Sequence, residues 1–209
     1  MCGIIGYIGT EPAADIVLDA LRRLEYRGYD SSGIATIDNG DLHISRAVGK
    51  LKMLSAQLAA SPLSGAVGIG HTRWATHGGV TEMNAHPHSA GSNVAIVHNG
   101  IIENYSRLRE RLIDRGVTFK SETDTEVLAN LIEYIYEKGD VDAELAVRLA
   151  LTKVIGAYGL VVICTEEQDK LIAARKGSPL VIGVGNEEYF LASDATPIVE
   201  YTKSVIYLN

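Results

Sequence analysis

The stretches Val94-Ala95-Ile96-Val97 and Leu160-Val161-Val162-Ile163-Cys164 place an apolar side chain at every position. A strand with one wet face alternates apolar and polar residues, so strands that do not alternate are buried on both faces. Such strands must be sandwiched, and the rest of the chain offers the covering layers. Residues 13–24 set Ala13, Ile16, Val17, Ala20, Leu21 and Leu24 at helical spacing, with Arg22 and Arg23 on the other face. A second helix is expected in GKLKMLSAQLAA, and Tyr105, Leu108 and Leu112 mark a third. TDTEVLANLIEYIYEKG opens with a capping box from Thr123 to Glu126 and closes on Gly139. A further helix spans about 142–154. IATIDNGDLHIS reads as two strands joined at Asn39-Gly40, and strands are expected over 157–164, 170–175, 179–183, 188–192 and 204–207. With helices clustered between runs of strands, the simplest arrangement is two stacked sheets, each covered outside by helices.

The chain of 209 residues is long enough for one sizeable core. Its formal net charge of −7 is spread along the sequence, which argues against a nucleic-acid partner that would need a basic face. No apolar run approaches the roughly 20 residues that cross a bilayer, and the first residues lack the basic segment and cleavage site of a secretory signal. The two cysteines, Cys2 and Cys164, make no disulfide framework. Cys164 reads as a buried strand hydrophobe, and the expected compartment is the reduced cytoplasm. The final SVIYLN stops abruptly in a strand, as if the domain continued beyond it.

Cys2 sits directly behind the initiator, where chain ends are usually frayed. Removal of Met1 would leave the α-amine of Cys2 beside its own sulfur. An amine titrating near 7.7–8.0 is a plausible base for a thiol near 8.5. The alternative is a buried N-terminal strand whose cysteine is inert packing. Two further stretches bear on that choice. GHTRWATHGG (70–79) is too polar and too rich in chemistry to be expected as a strand. VHNGIIEN (97–104) follows a buried strand, and the Asn99 amide and a Gly100 backbone N–H could both aim at an oxyanion. Asn-Gly is otherwise simply a turn dipeptide. Five of the six histidines fall between 71 and 98, but no Cys-x-x-Cys or His-Glu-x-x-His spacing accompanies them, so no metal site is expected. The glycines of GAVGIG and GVG lack the strand-turn-helix context of a dinucleotide site.

CGIIGYIG, LRRLEYRGYDSSGIA, HTRWATHG, NAHPH, HNGIIEN and SETDTEV, in that order, resemble the glutaminase domains of glutamine–fructose-6-phosphate aminotransferases, within the N-terminal-nucleophile amidotransferases. The likeness runs from Cys2 through GAYGL (156–160) to RKGSPLVIG (175–183). It implies an α+β fold, a four-layer αββα sandwich of two mainly antiparallel sheets, with the single amidotransferase domain filling 1–209. It implies glutamine hydrolysis through a γ-glutamyl thioester on Cys2, with Asn99 and Gly100 as the oxyanion hole. Arg73 would grip the α-carboxylate of glutamine and Asp124 its α-ammonium, with Thr76 and His77 lining the pocket. Trp74 would lie in a loop closing over the substrate, and Arg27 would order the site near the nucleophile. Asp124 also follows the Thr123 cap, where a carboxylate complements a helix dipole whatever else it does. No cofactor and no metal is implied. Full-length enzymes of this kind carry a sugar-isomerase portion that receives the ammonia and are homo-oligomers. That acceptor portion is expected to be missing here, so this chain alone would not make the amino sugar.

Three other readings are open at this stage. Amidophosphoribosyltransferases share the Cys-Gly-Ile opening, but typically differ where this chain has YRGYD and RWATHG. An N-terminal-cysteine peptidase or acyltransferase would have no use for Arg73 and Asp124, which suit the two charged ends of a free amino acid. A non-enzymatic regulatory module would retain Met1.

Overall fold

The structure is a computed structural model that describes residues 2–208 apart from Thr76 and His77. In chain order its elements are β1 (Gly3–Ile8), α1 (Ala13–Arg22), β2 (Ser31–Asp38), β3 (Asp41–Val48), α2 (Leu51–Ala60), β4 (Val67–Arg73), β5 (His88–Ala90), β6 (Val94–Ile102), α3 (Tyr105–Ile113), α4 (Asp124–Gly139), α5 (Ala143–Leu151), β7 (Gly156–Cys164), β8 (Ile172–Lys176), β9 (Val181–Val184), β10 (Tyr189–Ala192) and β11 (Val205–Tyr207). A seven-stranded sheet runs β11-β9-β10-β1-β4-β2-β3, and a four-stranded sheet runs β5-β6-β7-β8. The pairings within both sheets are antiparallel.

Period-two geometry divides the apolar strands between two cores. On β6, Ala95 and Val97 face the other sheet and pack with Ile4, Ile69, Val161, Ile163 and Leu191. Val94 and Ile96 point outward to Val127, Leu128 and Ile132 of α4, joined by Leu160 and Val162 of β7. Outside the larger sheet, Val17 and Leu21 of α1 and Leu54 of α2 cover Ile5, Tyr7 and Phe190. The layers are therefore helix, sheet, sheet, helix, and both unalternating runs lie in the middle as their composition requires. Each fully buried Val, Leu or Ile contributes about 1.5–3 kcal/mol. The β2–β3 hairpin turns at Asn39 (φ 51°) and Gly40 (φ 88°) between the paired Asp38 and Asp41. A type I′ turn needs positive φ at both positions.

Three expectations change. His71-Thr72-Arg73 is no loop: it completes β4, with all three side chains buried. Asn99-Gly100 is no turn: β6 runs on through it to Ile102, pairing Asn99 with Gly159 and Gly100 with Tyr158. Gly100 does so at φ 130°, where an added Cβ would lie 2.0 Å from the Ala157 carbonyl oxygen. The dipeptide thus marks a distortion inside a strand. The capping box is half used. Thr123 Oγ1 accepts the Glu126 N–H at 3.2 Å, but the Glu126 carboxylate turns away to accept the N–H groups of Lys120 (2.7 Å) and Ser121 (2.6 Å). Gly139 is the last helical residue of α4, and Asp140 takes the left-handed position after it at φ 48°.

Candidate active site

Cys2 immediately precedes β1, which pairs with β4 from Gly3 and with β10 from Ile5, so it leads into a central strand rather than a frayed tail. The register Gly3 to Thr72 sets it beside the end of β4. There the Trp74 backbone N–H donates to Cys2 Sγ at 3.2 Å. Burial pushes the thiol pKa up from its ordinary value. The Trp74 N–H, the positive amino terminus and Arg73 pull the other way, while Asp30 adds to the rise. The resting group is therefore a thiol, and it needs a base before it can attack.

The approach of chain to chain that builds this corner depends on Gly28. A Cβ there would lie 2.7 Å from the Arg73 carbonyl carbon. Just beyond, the Asp30 N–H donates to the Arg73 carbonyl at 3.2 Å, and the Asp30 carboxylate accepts the Ala75 N–H. YRGYD is thus the clamp on the end of β4.

Opposite the sulfur stands Asn99. Its Nδ2 donates to the Cys2 carbonyl oxygen at 3.0 Å, and its Oδ1 lies 3.0 Å from His71 Nε2. A cavity of about 240 Å³ opens here, and Cys2, Arg27, Arg73, Trp74, Asn99, Gly100 and Asp124 all line it. Every sequence-selected residue that the structure describes is on that wall. Thr76 and His77 lie outside the described residues.

The cavity carries both charges an amino acid would need. Arg73 is only 4% exposed and donates from Nη1 to the Gly79 carbonyl at 3.2 Å. Asp124 is 5% exposed, and its Oδ2 accepts the Ile102 N–H at 2.8 Å. Asp124 therefore does hold the start of α4 against the end of β6, in addition to facing the cavity. Arg27 pairs with Asp194 at the rim and donates to the Tyr26 hydroxyl at 3.1 Å. Trp74 is half exposed and meets Tyr29 edge-on, ring centroids 5.2 Å apart.

His86 and His98 also line the cavity, with His71 and His88 packed against His86, and all four are buried. Burial depresses each of their pKa values, that of His71 to about 3, so the rings are neutral. The Thr125 hydroxyl sits 3.0 Å from both His86 Nε2 and His98 Nδ1, and His71 stacks on His86 at 4.1 Å. Among the described residues no three His, Cys, Asp or Glu side chains converge as a metal site would require. Ser178, Ser193 and Thr125 also line the cavity. Nothing in their sequence context singles them out, since small hydroxyl residues occur throughout the chain.

Residues 71–200 match the family model described as a glutamine amidotransferase domain. The chain belongs to the glutamine amidotransferase domain family. Across its whole length it is 55% identical to the glutamine–fructose-6-phosphate aminotransferase (isomerizing) of Bacteroides thetaiotaomicron, covering 34% of that protein. It is 51% identical, again over its whole length, to the enzyme of the same name from Chlorobaculum tepidum, covering 35%. The chain thus spans about a third of the length of these curated relatives. Among solved structures, the glutamine phosphoribosylpyrophosphate amidotransferase of B. subtilis superposes with a TM-score of 0.83 at 28% identity, over 99% of this chain and 44% of that one. The fold is that of the N-terminal-nucleophile amidotransferases, as the motifs imply. The phosphoribosyl branch is a structural neighbour, whereas the relatives near half identity carry the fructose-6-phosphate name.

Proposed function

We propose that this chain hydrolyses L-glutamine to glutamate and ammonia, as the ammonia-supplying portion of a glutamine–fructose-6-phosphate aminotransferase. The observation that carries the reading is one cavity walled by a half-buried cysteine sulfur, a carboxamide donor beside it, and one buried residue of each charge. Arg73 takes the α-carboxylate through its planar fork, and Asp124 takes the α-ammonium. The side-chain amide of glutamine is thereby aimed at Cys2.

Once Met1 is removed, the α-amine of Cys2 accepts the thiol proton. The sulfur attacks the amide carbon, and the tetrahedral oxyanion is met by the Asn99 Nδ2–H and the Gly100 backbone N–H. Collapse expels ammonia, protonated by the same amine, and leaves a γ-glutamyl thioester. Water, deprotonated by that amine, attacks the thioester through a second tetrahedral intermediate and releases glutamate. Trp74, exposed on the segment after β4, closes over the pocket during these steps and limits the loss of ammonia to solvent. The sugar-phosphate acceptor belongs to the further two thirds of the relatives' length, as does their homo-oligomeric assembly.

The test is direct. Incubation with glutamine should yield glutamate and ammonia in equal amounts, and Cys2→Ala should yield neither while melting normally. Undiminished release from that variant would exclude Cys2 as the nucleophile.

A further inference from the structure

A carboxamide can face a neighbour with either its NH₂ or its oxygen. The two orientations differ by a half-turn about the last side-chain bond and fill the same space. At Asn99 only one of them serves an oxyanion, so something must choose.

His71 is placed to choose. Its Nε2 lies 3.2 Å from the His98 carbonyl oxygen and 3.0 Å from Asn99 Oδ1. A backbone carbonyl only accepts, so Nε2 bears the ring proton, and the Asn99 atom facing it must be the oxygen. At the other end of the amide, the Cys2 carbonyl also only accepts, so the atom facing it must be Nδ2. Two carbonyls on separate strands fix the tautomer and the amide in the same sense. The ring cannot easily swing away, being 1% exposed and stacked on His86. Its Nδ1 is buried without a hydrogen-bond partner, so the tautomer is held entirely from the Nε2 side. His71 stands on β4 and Asn99 on β6, so the bond ties the sheet that bears the nucleophile to the sheet that bears the oxyanion donor.

We infer that His71 is a positioning residue, whose Nε2–H holds the Asn99 carboxamide with its NH₂ toward Cys2 before glutamine binds. The inference rests on the glutaminase reading above. Without the ring, the Asn99 oxygen loses its donor and only the Cys2 carbonyl still holds the amide, so the oxyanion would meet the Asn99 NH₂ only part of the time. The loss belongs in turnover, because the oxyanion exists only in the transition state.

The test is a double-mutant cycle with His71→Leu, His71→Gln and His71→Asn, each alone and combined with Asn99→Ala, in a glutaminase assay with thermal melts. Glutamine places an amide nitrogen near the position of Nε2, whereas asparagine is too short to reach. His71→Leu and His71→Asn should lower kcat by roughly tenfold or more, short of the roughly 10²–10³ lost when an oxyanion donor is deleted outright, with KM little changed. His71→Gln should recover most of the activity. In the Asn99→Ala background there is no amide to orient, so the His71 changes should add a factor of no more than about two. If His71→Leu proves unstable, the Gln and Asn pair carries the comparison alone. Equal impairment in Gln and Asn, or the same loss in both backgrounds, overturns the inference and leaves His71 a packing residue. Full kcat in Asn99→Ala instead removes the oxyanion reading itself, and the inference with it.

Discussion

In the proposed mechanism Asp124 both holds the start of α4 and takes the substrate ammonium, and replacing it with asparagine separates the two. The side chain accepts the Ile102 N–H at 2.8 Å and is 5% exposed. It also occupies the first turn of α4. Asp124→Ala removes both the charge and the acceptor. An orphaned buried N–H costs about 1–3 kcal/mol, and the lost helix-dipole interaction about 0.3–1 kcal/mol. In a chain of this size each kcal/mol moves the melting temperature by about 2–4 °C, so Asp124→Ala should melt several degrees low. Asp124→Asn keeps an oxygen for the Ile102 N–H and loses only the charge, so its melting temperature should stay within about 4 °C of wild type. Its effect on substrate should be larger. A hydrogen bond to a charged group is worth about 1.5–3 kcal/mol, so the KM for glutamine should rise about 10- to 140-fold. Initial rates of glutamate release across a glutamine titration read this directly. Glutaramic acid, which has the amide and carboxylate but no α-amine, is the control: wild type and Asp124→Asn should hydrolyse it equally well. An unchanged glutamine KM in Asp124→Asn would refute the ammonium contact and leave Asp124 as a helix-terminal residue only.

Arg73→Lys keeps a positive charge but loses the bidentate fork, and should raise the glutamine KM about tenfold with little change in melting temperature. Gly100→Ala should destabilise the fold by more than about 1 kcal/mol, read as a lower melting temperature, because the new Cβ would meet the Ala157 oxygen at 2.0 Å in a backbone held at φ 130°. Glu133 should tie stability to pH: burial of a carboxylate without a hydrogen-bond partner, with the nearby Glu137 and Glu166 adding to it, raises its pKa to about 7. The folded state therefore holds this proton more tightly than the unfolded chain, so stability falls as pH rises from about 4.5 to about 7, by up to about 3 kcal/mol. Melting curves of Glu133→Gln should show a flatter dependence across that window and a higher midpoint at pH 8; an unchanged pH dependence would show that Glu133 is ionised in the fold.

Much of the fold was legible because the apolar runs allowed few alternatives. Val94–Val97 and Leu160–Cys164 demanded two covered faces, and both found them. The site was harder to place in secondary structure than to list by residue. His71, Thr72 and Arg73 looked unlike a strand because strand patterns are learned from apolar residues that pack, whereas these three polar side chains are buried, Arg73 at the cavity and His71 against Asn99. Local rules fail most readily where function overrides packing. Asn99-Gly100 misled for a related reason. The same positive φ that makes glycine a turn residue lets β6 distort without ending, and only the partner strand reveals which. Glu126 shows the limit of a motif: two backbone N–H groups, from Lys120 and Ser121, compete successfully for the carboxylate that would have closed the capping box. The hydrogen bond from His71 to Asn99 spans two sheets and 28 residues of sequence, and no local pattern announces it.

The central claim is that Cys2 becomes covalently acylated by glutamine. Mixing the protein with glutamine, quenching in acid within a turnover and mapping the modified peptide by mass spectrometry tests this at the atom concerned. The account predicts a γ-glutamyl thioester on Cys2 of a chain lacking Met1, absent from Cys2→Ala and never on the buried Cys164. Glutamate release with no adduct on Cys2 under any quench time, or an adduct that survives in Cys2→Ala, would contradict it.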